Sequence, residues 1–303
     1  QSLAGGGKNT QDMENLLPNA ILDLLENVEA REIRYRIPPL ISMARNNNIR
    51  EVRRLLSQGA DIDQQFDGRT PLMQAAVQNH HDIVRCLVEG KANVNVRNPK
   101  GMTALIFAAR ENGLAVVRYL SELSLVNHKD PHGQDALIWA ARKGHLGVVK
   151  CLVENADFRV NSADNHGNTS LIWASFNNDV AMCRYLCEIG KVSVNQKSSD
   201  GRTAVIEAAR YNRFKTLRYL VQEAKAECFS DTECLSDGNR RMESKACIMN
   251  ETSPTAMDYA LQNGHSAIVR FLQHELRKKH LPPVLERDLK MVHMLHAEIL
   301  TAL

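Results

Sequence analysis

The sequence predicts an all-α solenoid of stacked helix-turn-helix units joined by β-hairpin-like turns, and three observations predict it. The stretch Gly68-Arg69-Thr70-Pro71-Leu72-Met73-Gln74-Ala75-Ala76 returns in close variants from Gly101, Gly133, Gly167 and Gly201, at intervals of 33, 32, 34 and 34 residues. Within each copy a second apolar run follows, as in Ile83-Val84-Arg85-Cys86-Leu87-Val88 and Val116-Val117-Arg118-Tyr119-Leu120, at spacing for one face of a helix. The composition, 44 % apolar and 24 % charged over 303 residues, suits a folded chain with a continuous core. A unit of this size cannot bury its own apolar face, so copies must stack, and the length reads as one elongated domain instead of two compact ones.

Taken in order, residues 1–10 are a flexible linker or a remnant of expression, with Gln1-Ser2-Leu3-Ala4 followed by three glycines. Residues 11–37 carry Leu16, Leu17, Ile21, Leu24, Leu25 and Val28 at helical spacing, which predicts a helix capping the end of the stack. An alternative is that Leu17-Pro18, Ile21-Leu22 and Leu24-Leu25 resemble the opening of an F-box, implying a ubiquitin-ligase adaptor, although too few residues precede Pro38-Pro39 for a complete one. The repeats fill 38–274. A degenerate first unit has Pro39-Leu40 and Met43-Ala44, and five clear units follow at Gln65 to Arg97, Asn98 to Lys129, Asp130 to Ala163, Asp164 to Lys197 and from Ser198.

Each unit shares one grammar. Glycine allows positive φ in the turn, threonine (Asp135 in the third clear unit) caps a short helix, and Ala-Ala lets neighbours approach closely. Asn79, Asn112, Asn178 and Asn212 close that helix in four units, since asparagine tolerates the left-handed conformation. After Ala209 the period breaks. Thr203 is answered by Thr255, leaving an insertion of about 19 residues within 224–251, whose polar run reads as a loop and a candidate contact surface. Residues 275–303 pass through Arg277-Lys278-Lys279-His280 and Pro282-Pro283 into Leu285, Leu289, Val292, Leu295 and Ile299, the pattern of a C-terminal capping helix.

Gly-x-Thr-Pro-Leu, Ala-Ala, the Gly144-His145 pair, Val-Val-x-x-Leu and the closing Asn95, Asn127, Asn161 and Asn195 together resemble ankyrin repeats, in seven units from Pro39 to about His274. The resemblance implies stacked helical pairs with a concave groove lined by the first helices and the hairpin tips, and a protein-binding role. The chain departs from the family where histidine normally follows the repeat leucine: Met73, Ile106, Ile138, Ile172 and Ile206 stand there, so apolar contact is expected in place of a threonine-to-histidine bond.

No phosphate-cradling glycine loop, zinc-protease motif or nucleophile elbow occurs, and the 11 histidines are scattered. His80, His145 and His265 hold the repeat's Gly-His slot and read as structural. The expectation is a non-enzyme without catalytic residues, metal or cofactor. Cys228, Cys234 and Cys247 lack a C-x-x-C pair, and seven cysteines with no hydrophobic leader or membrane-length run indicate reduced thiols in the cytoplasm or nucleus and no membrane insertion.

Two lines of residues recur with the period. Arg53, Arg85, Arg118, Lys150, Arg184, Arg218 and Arg270 share one slot on the second helices; they offer phosphates a basic ladder or are simply an exposed face, and a net charge of +3 favours the latter. On the first helices Phe107, Trp139 and Trp173 share a slot, with Arg110, Arg142, Phe176 and Arg210 three residues on, hence on the same face. Aromatic rings and arginines dominate interface hot spots, while the alternative role of the rings is to fill the core between repeats. By the resemblance, the rim of the groove would be the hairpin tips Phe66, Asp67, Pro99, Lys100, His132, His166 and Asp200.

These residues together predict a monomeric scaffold or adaptor that holds a protein or extended peptide, carrying acidic and apolar residues, in the groove. Nucleic acid or a phosphate ligand on the basic ladder and aromatics is the rival reading, and the targeting region of a larger enzyme is a third.

Overall fold

Threonine at the head of five units starts the first helix by accepting the backbone N–H three residues on, which satisfies a donor the helix itself cannot. In the computed structural model, which describes residues 37–123, 127–155, 158–228 and 254–280, Thr70 Oγ1 accepts from Met73 N at 3.2 Å, and Thr103, Thr169 and Thr203 repeat the contact at 3.4 Å. Asp135 takes the same place with a shorter bond, 2.9 Å to Ile138 N. Thr255 adds the reciprocal contact, its own N–H donating to Asp258.

The described residues hold fourteen helices in seven pairs. The first helices are α1 (Pro39–Arg45), α3 (Pro71–Val77), α5 (Ala104–Arg110), α7 (Ala136–Lys143), α9 (Ser170–Phe176), α11 (Ala204–Arg210) and α13 (Ala256–Gln262). Each is followed by its partner: α2 (Ile49–Ser57), α4 (His81–Glu89), α6 (Leu114–Ser121), α8 (Leu146–Glu154), α10 (Val180–Glu188), α12 (Phe214–Gln222) and α14 (Ser266–His280). The helix α14 continues unbroken through 275–280. The segments 11–36 and 281–303, read as caps, and 229–251 of the insertion lie outside the described residues.

The first helices end in the left-handed region at Asn47, Asn79, Asn112, Asn178 and Asn212, with φ between 57° and 61°, and at Gly144 and Gly264. That reversal turns the chain into the second helix, and the residue just past it ties the unit to the one before. His145 Nε2–H donates to Arg110 O at 2.9 Å and His265 Nε2–H to Arg210 O at 3.0 Å, while His80 uses Nδ1–H toward Ala44 O at 3.0 Å. Where the slot holds Arg213, its Nε–H reaches Phe176 O at 2.9 Å. The slot is thus a staple on the last carbonyls of the preceding first helix.

First helices pack on first helices as one row and second helices on second helices as another, with the core between. Ala75, Ala76, Ala108, Ala109, Ala140, Ala141, Ala208 and Ala209 are all fully buried, which allows the close approach of the first row, and Leu72, Leu105, Leu137 and Leu171 fill the space beside them. At about 25 cal/mol per Å² of apolar surface, each such leucine contributes roughly 2 kcal/mol by burial. No unit encloses these side chains by itself, so the solenoid is stable only as a stack.

The hairpin turns are minimal. Phe66 and Arg69 exchange both backbone bonds at 3.0 Å, and the equivalent bond recurs as Asp130 N to Gln134 O and Asp164 N to Asn168 O. Neighbouring tips are joined by Asn165 N to His132 O at 2.9 Å and Ser199 N to His166 O at 2.8 Å. Gly133 and Gly167 permit this: a Cβ on either would lie within 3 Å of the next hairpin's backbone, besides requiring a strained positive φ. On the other edge Asn127, Asn161 and Asn195 accept the N–H groups of Arg159, Ser193 and Glu227 one unit on.

Candidate interaction groove

Stacking turns the two recurring slots of the first helices into a continuous interleaved row. The guanidiniums of Arg69 and Arg110 sit 5.4 and 5.1 Å from the Phe107 ring centre, those of Arg110 and Arg142 lie 5.8 and 5.2 Å from Trp139, and Arg142 stands 4.7 Å from Trp173. Cation and ring attract through the ring's quadrupole, about 0.5 to 2 kcal/mol per contact. Beyond Trp173 the row changes character. Phe176 replaces arginine, meets Trp173 edge-on at 5.9 Å and Tyr211 edge-on at 4.7 Å, and Arg210 then joins Tyr211 and Tyr259 at 5.2 and 5.8 Å.

The tryptophans are fixed from below by the hairpins. Asp130, buried, accepts His132 N and Gln134 N on Oδ1, both at 2.9 Å, and the Trp139 indole N–H on Oδ2 at 3.0 Å. Asp164 repeats this with His166 N, Asn168 N and the Trp173 indole, the last at 3.3 Å. One carboxylate therefore shapes the turn and orients the ring nine residues on.

The arginines differ in what neutralises them. Arg110 pairs with Glu111 at 2.7 Å. Arg210 faces Glu207, which is 5 % exposed and more tightly held by Arg202 at 2.8 Å. Arg142 is exposed and has no carboxylate among the described residues; its Nη1–H donates to the neutral Gln134 side chain at 3.0 Å. Arg69 likewise donates to a neutral amide, that of Gln74, at 3.1 Å.

Of the residues the sequence nominates, Arg110, Arg142, Trp139, Trp173, Phe176 and Arg210 are brought together on one exposed or half-exposed face. Phe107 corrects the expectation: its ring is 2 % exposed, because the two flanking guanidiniums and the core close over it, so it supports the face without presenting a surface. At the tips Asp67, Lys100, His132, His166 and Asp200 are exposed, Phe66 is half-buried, and Asp200 is paired with Arg202. Sequence reasoning passes over Arg69, Asp130, Asp164, Glu207, Tyr211 and Tyr259. Asp130 and Asp164 carry a signal in their equal nine-residue offset from a tryptophan, and Tyr259 in its place four residues after Thr255, the slot of Phe107, Trp139 and Trp173, whereas Arg69 joins the row only through stacking.

On the second helices the basic ladder is exposed throughout but is interleaved with acids. Arg85 pairs with Glu89 at 3.1 Å, and Arg184 with Glu188 at 3.2 Å and Glu223 at 2.8 Å. Lys150 and Arg184 also lie over Tyr185 and Tyr219.

No group of histidine, cysteine or acidic side chains that could hold a metal occurs among the described residues, and no described helix is long and apolar enough to cross a membrane. Burial pushes the Cys183 thiol up to about 12 and Cys187 up to about 11, so both stay protonated and unreactive at neutral pH.

A family model described as ankyrin repeats matches residues 40–128, 121–198, 158–232 and 189–280. The chain is 45 % identical over 75 residues to alpha-latroinsectotoxin-Lt1a of Latrodectus tredecimguttatus, covering 24 % of this chain and 5 % of the toxin. It is 38 % identical over 74 residues to the E3 ubiquitin-protein ligase XBAT32 of Arabidopsis thaliana, covering 23 % and 15 %. To the ankyrin repeat and KH domain-containing protein mask-1 of Caenorhabditis elegans it is 33 % identical over 82 residues, 27 % of this chain and 3 % of that one. These matches span less than a fifth of each relative. The crystal structure of EF0377, an ankyrin repeat protein, shares the fold, with a TM-score of 0.57 at 24 % identity over 62 % of this chain and 98 % of that one.

Proposed function

We propose, from the premise that this chain belongs to the ankyrin-repeat family, that it is a non-catalytic scaffold or adaptor module holding a protein or extended peptide along the first-helix face. Relatives as unlike as a toxin and a ubiquitin ligase share these repeats, so the repeats support recognition and leave the fused activity open. The observation that carries the reading is Arg142: an exposed cation held between two indole rings, pre-ordered and without a carboxylate partner among the described residues. An aromatic and arginine cluster of this kind is what interface hot spots are made of, and arginine matches a carboxylate with two parallel bonds.

The rival nucleic-acid reading draws less support. The rings of the row already face guanidiniums, which leaves poor platforms for stacked bases, and in the basic ladder behind Arg85 and Arg184 are paired with glutamates. The chain's two tryptophans are Trp139 and Trp173, so tryptophan fluorescence, excited selectively over tyrosine, reports on this face. A partner recovered by affinity capture is expected to shift that emission on titration and to be lost with R142E. Capture that is unchanged by R142E, or a single-stranded oligonucleotide that shifts the emission and is released steeply by salt, would sink the proposal.

A further inference from the structure

The row along the first helices is not uniform, and the change falls at one place. From Arg69 to Trp173 it alternates cation and ring; at Phe176 an aromatic side chain holds the arginine slot, and at Glu207 a carboxylate holds the aromatic slot. The acid is buried between Arg202 and Arg210, so the charge of Arg210 is answered within the protein. What the far half presents is a ring cluster, Trp173, Phe176 and Tyr211 in successive edge-on contact, with Tyr211 38 % exposed and Phe176 half-buried. The near half presents Arg142, whose guanidinium donates to a neutral amide.

Building on the binding reading above, we infer that the groove is bipartite: Arg142 accepts a carboxylate of an extended peptide, and the Phe176–Tyr211 cluster accepts an aromatic or aliphatic side chain of the same peptide. Charge and apolar surface are segregated along the row, so the two preferences occupy different positions of the ligand. The links Arg142 to Trp173 (4.7 Å), Trp173 to Phe176 (5.9 Å) and Phe176 to Tyr211 (4.7 Å) bound the span between the subsites. An extended strand advances about 3.3 Å per residue, so roughly five residues cover it. A second carboxylate at the apolar end is disfavoured, because the charge of Arg210 is already answered by Glu207.

The test is selection from a displayed library of random unmodified 12-residue peptides against the full chain, with binding of selected peptides measured by fluorescence anisotropy. The wild type is expected to enrich an Asp or Glu within five residues of an aromatic or aliphatic residue. R142E should erase the acidic preference, weaken the selected peptide about tenfold or more, and keep the apolar preference. Y211S should do the converse, with a loss of about fivefold. R142Q and Y211A serve if a first variant unfolds in urea at a lower concentration. Acidic enrichment that survives in R142E and R142Q, or preferences that vanish together in either variant, would overturn the bipartite assignment while leaving peptide binding intact. A wild type that enriches no peptide would overturn the binding reading itself.

Discussion

Arg85 and Arg142 stand in two rows that recur with one period, and both are exposed, yet the protein treats them differently. On the second helices a glutamate follows at Glu89, Glu122, Glu154, Glu188 and Glu223, and two of the cations close on such acids in water, Arg85 on Glu89 and Arg184 on Glu188 and Glu223. On the first helices the arginines are ordered by rings, and the carboxylates Asp130 and Asp164 bind the indole nitrogens. A charge paired on the surface is already satisfied and is worth little, whereas a cation ordered by rings keeps its hydrogen-bonding edge for something else. Periodicity alone therefore does not set apart the row proposed to bind a partner; the identity of the neutralising group does.

The strongest way to break the comparison is Trp139→Ala. It removes a half-buried ring flanked by two guanidiniums and leaves a buried Asp130 oxygen unpaired, so a loss of about 3 kcal/mol in urea unfolding is expected. Trp139→Phe, which keeps a ring but no N–H, should lose about 1 kcal/mol. Should Trp139→Ala cost no more than Arg85→Ala, the first row is not the structured one.

Next in size is the affinity contrast. For an acidic and apolar peptide selected on the wild type, R142E should weaken binding by about tenfold, equal to about 1.4 kcal/mol, whereas R85E should change it by less than about twofold. Equal losses in the two variants would mean that nonspecific charge, not the ordered row, governs binding.

A smaller effect is expected at Asp135, which heads α7 where other units have threonine. Burial raises its carboxyl above the ordinary range, against the Ser162 hydroxyl and the Ile138 N–H that favour its charged form. The folded state therefore holds this proton more firmly than the unfolded chain. Its contribution to stability is fully present below the unfolded pKa and is lost as pH rises through the raised folded value. Asp135→Thr keeps an oxygen cap without the acid and should flatten the pH dependence of the urea midpoint across that acidic window. An unchanged slope would show that the carboxyl is not desolvated.

The least effect is expected on the second helices: a double-mutant cycle of Arg85 and Glu89 should give a coupling below about 0.5 kcal/mol, removed by salt. A larger coupling would blur the distinction between the rows.

Much of the architecture was legible because it is local. The Thr or Asp cap, the Asn or Gly reversal and the Ala-Ala pair act within a few residues, and each can be read where it stands. The candidate site was legible only in part. Phe107, Trp139 and Trp173 share one slot, but only stacking shows that the first is closed over by Arg69 from the preceding unit while the others stay half-exposed. The Asp130 and Trp139 pairing could have been read from its repeat at Asp164 and Trp173, since a constant offset in a repeated unit implies a constant contact.

By itself the sequence determined the repeat, its helical pairs and the slots that face one another, since a residue recurring at the period of the unit must form a line when units stack. Only the tertiary structure decided which cations in that line pair with a carboxylate and which, Arg69 and Arg142, donate to a neutral amide instead. Those partners come through different geometries: Arg110 from its neighbour Glu111, Arg210 from Glu207 one turn back, Arg184 from Glu223 in the next unit. Which of these bonds closes depends on how neighbouring rings and helices orient the guanidinium, and at Arg142 the two indoles hold it where among the described residues only Gln134 offers a hydrogen-bond acceptor.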